Sequence, residues 1–578
     1  MTIVLVAAGT VLAFLPTLGN GFVNFDDDRL LLHNPYLRLA PAQTLRWIFS
    51  TTFLGHYQPL AWLSLWMDYA IGGVSPVVYH VDSLLWHAAA GVVAYSVLVD
   101  LLSRTEAGRS AEPVRLRACA AAGALFWAVH PLRVESVAWI SERRDPVSLV
   151  CWLLALRACL LALDAGSERQ ATRWRIGSYA LLTLSLLAKA WGMTFFLTLL
   201  AIDIFPLRRL PVGPGAVTDA RYRAVWREKI PYALLGAAAG AGAWLAQRVQ
   251  PDTMLSTGEW SGTARFLQAA YGLCFYVWKT LWPTNLAAMY ELPARLQPSL
   301  TSLFVVCLIV AAAAAAAIVV TARRHPEFLA AAIAYVATVA PVLGFAQSGP
   351  QLVADRYAYV SSLAFSAIVA GGLLILSQRS WSRVAAPTIA CLVALGALTW
   401  RQTEVWHDSA TLWLHALETG HPSYVAYVNY GQAVRAEGRL DEAIASYRRA
   451  LAIRPQAGNG WYNLANSLKA AGRNDEAERA YIVAIDHLSW KVDAQVNLGN
   501  LYFARHELPA AIRQYRAATE MVAQVAPAEF TPEPYLYLGI ALSDSGDRDG
   551  ARTALGVALR YPATRARAET ELRRMANR

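Results

Sequence analysis

Apolar runs separated by short charged connectors fill the first 400 residues, at 2–19, 77–102, 117–130, 147–164, 176–188, 192–206, 230–248, 264–282, 300–321, 328–346, 359–377 and 384–400. A helix crosses a bilayer core with about 20 apolar residues, and the stretch 302–321 carries no charge over such a length. Beyond Arg401 no comparable run exists. The pattern predicts an all-α chain with a polytopic membrane bundle at 1–400 and a soluble domain at 401–578. The run 2–19 lacks a basic n-region and a small-residue cleavage site, so it is expected to be the first span and not a cleaved leader.

Connector charge orients the bundle. Basic residues gather after the second run (Arg104, Arg109, Arg115, Arg117), the fourth (Arg169, Arg173, Arg175) and the sixth (Arg208, Arg209, Arg221, Arg223, Arg227, Lys229), and again at Arg323, Arg324, Arg379 and Arg383. The positive-inside rule makes these segments cytoplasmic. An even number of crossings must then separate Lys229 from Arg323, although three runs lie between them. The run 264–282 carries Arg265, Gln268 and Lys279 and ends at Trp282-Pro283, so it is expected to be re-entrant or interfacial. Eleven crossings remain. With a cytoplasmic N-terminus, the loops 20–76, 131–146 and 347–358 and the C-terminal domain lie outside the cytoplasm.

The soluble part repeats every 34 residues. Gly431, Ala465 and Gly499 share one position, Ala443, Ala477 and Ala511 a second, Tyr447, Tyr481 and Tyr515 a third, and Ala450, Ala484 and Ala518 a fourth. That period and that spacing of small residues define tetratricopeptide repeats (TPRs). Units are expected near 424–457, 458–491, 492–525 and, after a six-residue insertion, 532–565 with Gly539, Ala551, Leu555 and Ala558 in the same slots; 408–422 reads as a half unit before the array. Such units stack into an α-solenoid with a ligand-facing groove.

Composition agrees with a membrane protein: 56% of residues are apolar and 16% charged. The net charge of +10 lies mostly in the connectors, as topology demands, which excludes nucleic acid as the expected partner. The six cysteines lie in or beside apolar runs at no metal-ligand spacing, so neither a disulfide framework nor a metal site is expected.

The polar groups that break the apolar pattern fall on the external side. The first loop opens with Asn24-Phe25-Asp26-Asp27-Asp28, where repulsion between neighbouring carboxylates raises a pKa and could equip one as a general base; a helix-start cap is the alternative. The loop 131–146 follows His130 and holds Arg133, Glu135, Glu142, Arg143, Arg144 and Asp145. External arginines match an anion such as a lipid phosphate, or else pair with the acids of their own loop. Lys189 lies in the short turn between the fifth and sixth runs, and Asp355, Arg356 and Tyr357 close the third external loop. His80, Asp82 and His87 lie inside the second run, where ionisable groups serve either function or helix-helix hydrogen bonding. His56 lies in the large first loop, within Gly-His-Tyr-Gln-Pro.

Taken in order, Asn-Phe-Asp-Asp at 24–27, Gly-His-Tyr-Gln-Pro-Leu at 55–60, His-Pro-Leu-Arg-Val-Glu-Ser-Val-Ala-Trp at 130–139, Ala-Lys at 188–189 and Ala-Asp-Arg-Tyr at 354–357, followed by TPRs, form a recognisable series. The chain resembles the membrane-embedded TPR glycosyltransferases of the C-type superfamily, whose bacterial members look like relatives of the eukaryotic O-mannosyltransferases that modify cadherins. The resemblance implies transfer of a sugar, with mannose expected, from a polyprenyl-phosphate carrier to a protein Ser or Thr hydroxyl at the external face of a bacterial inner membrane. It implies a catalytic base at Asp26 or Asp27. It also implies a pool of carrier-phosphate ligands among Arg133, Arg143, Arg144, Lys189 and Arg356, with His56, His80, His130, Glu135, Asp355 and Tyr357 in support. Eukaryotic relatives follow the lysine with an acid, whereas Ala190 follows Lys189.

No cofactor is implied beyond the lipid-linked sugar as substrate, and no metal. The acceptor protein is expected in the TPR groove, where Asn429, Asn463 and Asn497 recur at one position and could hydrogen-bond an extended peptide; a purely structural role is the alternative. Two other functions compete. A membrane-anchored TPR scaffold for envelope or pilus assembly would not need the acids and external arginines, and a lipid-sugar flippase would place ionisable groups in both leaflets.

Overall fold

The computed structural model describes residues 1–213, 215–248, 260–293, 298–345, 349–524 and 530–577. Residue 346 of the tenth run, residues 347–348 of the third external loop and residue 525 of the third repeat lie outside them. Among the described residues the fold is helical apart from one two-stranded sheet, which pairs Tyr290–Glu291 antiparallel with Gln351–Val353.

Helix occupies each of the twelve apolar runs, because in lipid every backbone amide must be satisfied within its own segment. Judged by length and composition, four helices among the described residues can cross a membrane: Pro76–Leu102, Ile140–Leu163, Leu300–Thr321 and Trp381–Glu404. A fifth arises if Asp355–Ser361 and Leu363–Arg379, bent by 53°, form one span. The remaining runs form shorter or more polar helices that miss this criterion, among them Thr2–Ala13 and Glu168–Ala188. The helix Gly262–Leu281, expected to be re-entrant, turns its polar side chains onto neighbouring carbonyls: Arg265 Nη1 donates to Gly344 O (3.2 Å) and Lys279 Nζ to Thr284 O (2.5 Å).

Helices approach closely where the sequence is small. Pro113–Ala128 packs on Pro76–Leu102 and Leu363–Arg379 through Cys119, Ala120, Ala124, Leu98 and Ala370, and Ser366 Oγ donates to Gly123 O (2.7 Å) across the pair. Small-residue packing and interhelical hydrogen bonds drive association where lipid removes the hydrophobic driving force.

Contacts divide the chain into 1–421 and 422–578. This division falls later than residue 400, because the helix Ser409–Glu418 of the half unit packs on the first unit.

The second unit alternates helices in pairs: Tyr424–Ala436 with Leu440–Ile453, Gly458–Ala470 with Asn474–His487, Val492–Ala504 with Leu508–Val522, and Glu533–Ser545 with Arg548–Ala558, before Pro562–Ala576. The repeat positions explain the pairing. Tyr447, Tyr481 and Tyr515 are fully buried, and the rings of Tyr447 and Tyr515 lie against Gly431 and Gly499 of the preceding helix. At Gly499 a Cβ would come within 2.6 Å of the Tyr515 ring. Gly499→Val should therefore overpack the third repeat and cost about 1–3 kcal/mol, measured as a lower melting temperature of the full chain; an unchanged melt would show that the Tyr515 ring can withdraw. The hydroxyls of Tyr481 and Tyr515 donate to Asn466 (2.6 Å) and Asn500 (2.7 Å).

Candidate functional site

The first loop separates the functions of two adjacent acids. Asp27 is 1% exposed and fully engaged: Oδ1 accepts from Ser141 N (3.1 Å) and Ser141 Oγ (2.5 Å), and Oδ2 accepts from Val23 N (3.0 Å). Burial pushes its pKa up to about 6, against the opposing pull of the Ser141 and Val23 hydrogen bonds. Asp26 is half-buried, and among the described residues nothing donates a hydrogen bond to its carboxylate. Burial raises its pKa to about 7; the Arg144 charge opposes that rise, Asp27 reinforces it, and Arg356 and Glu142 act in opposite senses. Asp28 accepts from Arg29 N (2.8 Å), a local turn contact. Of the three acids, Asp26 combines an open carboxylate with a proton affinity near neutrality, which a general base requires.

The cations around it come from three segments. Arg144 opens the helix Arg144–Leu163 and holds Glu142 through two bonds (Nη2 to Oε2, 2.7 Å; Nε to Oε1, 3.1 Å). Lys189, in the turn after Glu168–Ala188, bonds Glu142 and Asp145 (2.5 Å to the latter) and lies 4.0 Å from the Trp191 ring centroid. Arg356 grips Glu135, whose Oε2 also accepts from the Arg356 amide (2.7 Å), and lies over the Trp139 and Tyr357 rings. Burial raises the Glu135 pKa, and Arg356 opposes it. Intraloop pairing, the alternative for the external arginines, thus describes Arg144 with Glu142. Arg144 and Lys189 nevertheless keep part of their side-chain surface exposed.

His56 joins this group. Leu54 (φ 53°) and Gly55 (φ 75°) turn the chain left-handed just before it, and Gly55 adopts that conformation without strain. Burial holds the His56 pKa down to about 3, Arg144, Lys189 and Arg356 act in the same sense, and Glu142 opposes them. A neutral imidazole can both donate and accept hydrogen bonds, as a sugar hydroxyl requires. Gln58 Oε1 accepts from Arg144 Nη1 (3.3 Å).

Other residues of the expected set serve the scaffold. Arg143 is 0% exposed and bonds Asp68 (2.7 Å), Asp82, Ser83 Oγ (2.7 Å), Ser64 Oγ (3.1 Å) and Tyr79 O, so no donor faces a ligand. Arg133 donates to Ala358 O (2.6 Å) and is buried beside the Trp127 and Tyr359 rings. Arg143 leaves the phosphate pool because its guanidinium is spent inside the fold, and Arg133 because it is 1% exposed, with its Nε buried and, among the described residues, unpaired. His130 caps the turn after it, accepting from Leu132 N (3.2 Å), while Nε2 meets Thr280 O (3.1 Å). His80 is buried in Pro76–Leu102 beside the backbone of residues 20–21. Asp355 accepts from the Tyr290 hydroxyl (3.0 Å), and Tyr357 Oη accepts from Gln351 (2.6 Å).

In the repeats, Asn497 Nδ2 is already engaged by Tyr462 Oη (3.1 Å) and Asn466 Oδ1 (3.2 Å), the structural role considered for that row. Asn429 and Asn463 are half-buried. Among the described residues no three His, Cys, Asp or Glu side chains form a metal-binding group.

Sequence reasoning missed Ser141, Gln58 and Trp139. Gln58 and Trp139 lay inside quoted motifs, but nothing in the spacing pointed to Ser141.

These features define a multi-pass helical membrane protein with a TPR solenoid and a buried acid-base cluster. Residues 431–472 match the TPR repeat family model. The chain resembles the TPR-containing protein O-mannosyltransferases: it is 24% identical over 517 residues to human protein O-mannosyl-transferase TMTC1, covering 80% of this chain and 56% of that protein. It is 38% identical over 150 residues to Drosophila melanogaster protein O-mannosyl-transferase Tmtc1, covering 25% and 16%. The chain thus spans little more than half the length of the human relative. Among solved structures, ArnT from Cupriavidus metallidurans bound to undecaprenyl phosphate aligns at 15% identity and a TM-score of 0.34, over 85% of this chain and 81% of that one.

Proposed function

We propose that the chain is a glycosyltransferase that moves a hexose, mannose by analogy with its relatives, from a polyprenyl phosphate to a Ser or Thr hydroxyl of a protein. The observation that carries this is the open Asp26 carboxylate, with its pKa near 7, under the charges of Arg144 and Arg356. The acceptor oxygen attacks the anomeric carbon and passes its proton to Asp26, while the bond from that carbon to the phosphate oxygen breaks and the polyprenyl phosphate leaves with the electron pair. Arg144, Lys189 and Arg356 stabilise the charge gathering on that phosphate. A single displacement inverts the anomeric centre. The site faces the outside of an inner membrane crossed eleven times, with the TPRs on the same side and binding the acceptor.

Intact-mass analysis of envelope proteins from a deletion strain, complemented with wild type or with Asp26→Asn, tests the reading. A hexose-sized increment that depends on the chain and is lost in the variant supports it; unchanged masses throughout would favour the scaffold. Reporter fusions that place the repeats in the cytosol would remove the acceptor from the site.

A further inference from the structure

The first loop is braced by a segment that follows the last apolar run. Asn20 Nδ2 donates to Thr403 O (3.0 Å), Gly21 N to His407 O (2.8 Å) and Asn24 N to Ser409 Oγ (2.9 Å), while Trp413 Nε1 donates to Asn24 Oδ1 (2.7 Å). Residues 20–24 thus run along 403–413, bonded step by step. Phe25 then enters an aromatic slot. Trp139 stacks on it (centroids 4.3 Å, planes 10° apart), and Trp413, itself 0% exposed, packs against it edge to face at 5.1 Å. Asp26 is the next residue, and Asp27 beyond it is tied to Ser141. Asp26 is therefore suspended between two anchors. One belongs to the segment that carries Glu142 and Arg144, and the other to the connector helix Ser409–Glu418.

We infer that Trp413 and Ser409 are positioning residues of the transfer reaction: through Asn24 and Phe25 they set where the Asp26 carboxylate stands relative to Arg144 and Arg356. The inference rests on the function proposed above. A base displaced by about 1 Å loses up to about 100-fold in rate without losing its substrate, so the connector's contribution belongs in kcat.

The test uses the purified full chain in nanodiscs, with polyprenyl-phosphate mannose as donor and, as acceptor, the protein found to be modified by the mass analysis. Trp413→Phe keeps the ring against Phe25 and removes the N–H to Asn24. Its kcat should fall about 10- to 100-fold while the donor KM stays within about threefold, and the midpoint of the acid limb of the kcat profile should move because the surroundings of Asp26 have moved. Ser409→Ala should lower kcat in the same way, and Ser409→Thr, which retains the hydroxyl acceptor, should restore it. This second pair decides the matter if Trp413→Phe does not fold. Full kcat and an unmoved pH midpoint in Trp413→Phe, or Ser409→Thr no better than Ser409→Ala, would overturn the positioning role while leaving the transferase intact. Absence of transfer by wild type, or full transfer by Asp26→Asn, would instead overturn the function and this inference with it.

Discussion

Asp26→Asn is expected to lower kcat for hexose transfer by roughly 10²- to 10⁴-fold, the contribution of a positioned general base, with the fold intact. The substitution removes the proton acceptor but little else, because no described residue donates a hydrogen bond to this carboxylate. Asp27→Asn should behave differently. Its amide would present N–H groups where Val23 N or Ser141 now donates, leaving a buried donor unpaired at about 1–3 kcal/mol, so it should lower the melting temperature as well as the rate. The pH dependence has a definite sign. A base works only when ionised, and the Asp26 pKa is raised to about 7. Wild-type kcat should therefore rise with pH up to about 7 and level off above, falling tenfold per unit well below that midpoint. An Asp with an unperturbed pKa would hold its plateau down to about pH 5. Asp26→Asn retaining transfer, or a flat profile from pH 5 to 8, would remove Asp26 from the chemistry.

How much of this was legible in the sequence depended on the type of signal. The repeats were legible, since a small residue on the first helix must meet a large one on the second, as Gly431 meets Tyr447, Gly499 meets Tyr515 and Gly539 meets Leu555, and the 34-residue period records that meeting. The helical runs were legible too, because lipid enforces backbone self-satisfaction on every segment alike. Within the site, the acid pair could be located but not divided. Asp26 and Asp27 differ only in which of them meets Ser141, more than 100 residues away in the chain, and no local pattern encodes that. The arginines failed to separate for the same reason. Arg143 and Arg144 are neighbours, yet the first turns toward Asp68 and Asp82 and the second toward Glu142 and Gln58. The connector contact to Asn24 was invisible, because the half repeat reads as part of the solenoid until its tryptophan is placed in space.

Arg143→Met should destabilise the membrane unit by about 3–5 kcal/mol, the cost of stranding the buried partner of a removed charge, here Asp68. The guanidinium joins three segments: Asp68 on Pro59–Gly72, Ser83 with Asp82 on Pro76–Leu102, and its own backbone at the start of Arg144–Leu163. Without it, Asp68 and Asp82 face each other across the gap with no counter-charge, and such a loss is a large share of a stability of about 5–15 kcal/mol. A lower melting temperature and a smaller monodisperse fraction should follow. Neutralising the stranded acids separates this role from phosphate binding. The triple variant Arg143→Met, Asp68→Asn, Asp82→Asn removes the uncompensated charges, so it should recover much of the stability, and with it transfer at an ordinary donor KM. Should the triple variant fold like wild type and yet show a donor KM raised tenfold or more, Arg143 would be holding the carrier phosphate after all. Arg144→Met provides the contrast: Glu142 keeps Lys189 as a partner, so the loss should appear in donor turnover more than in melting.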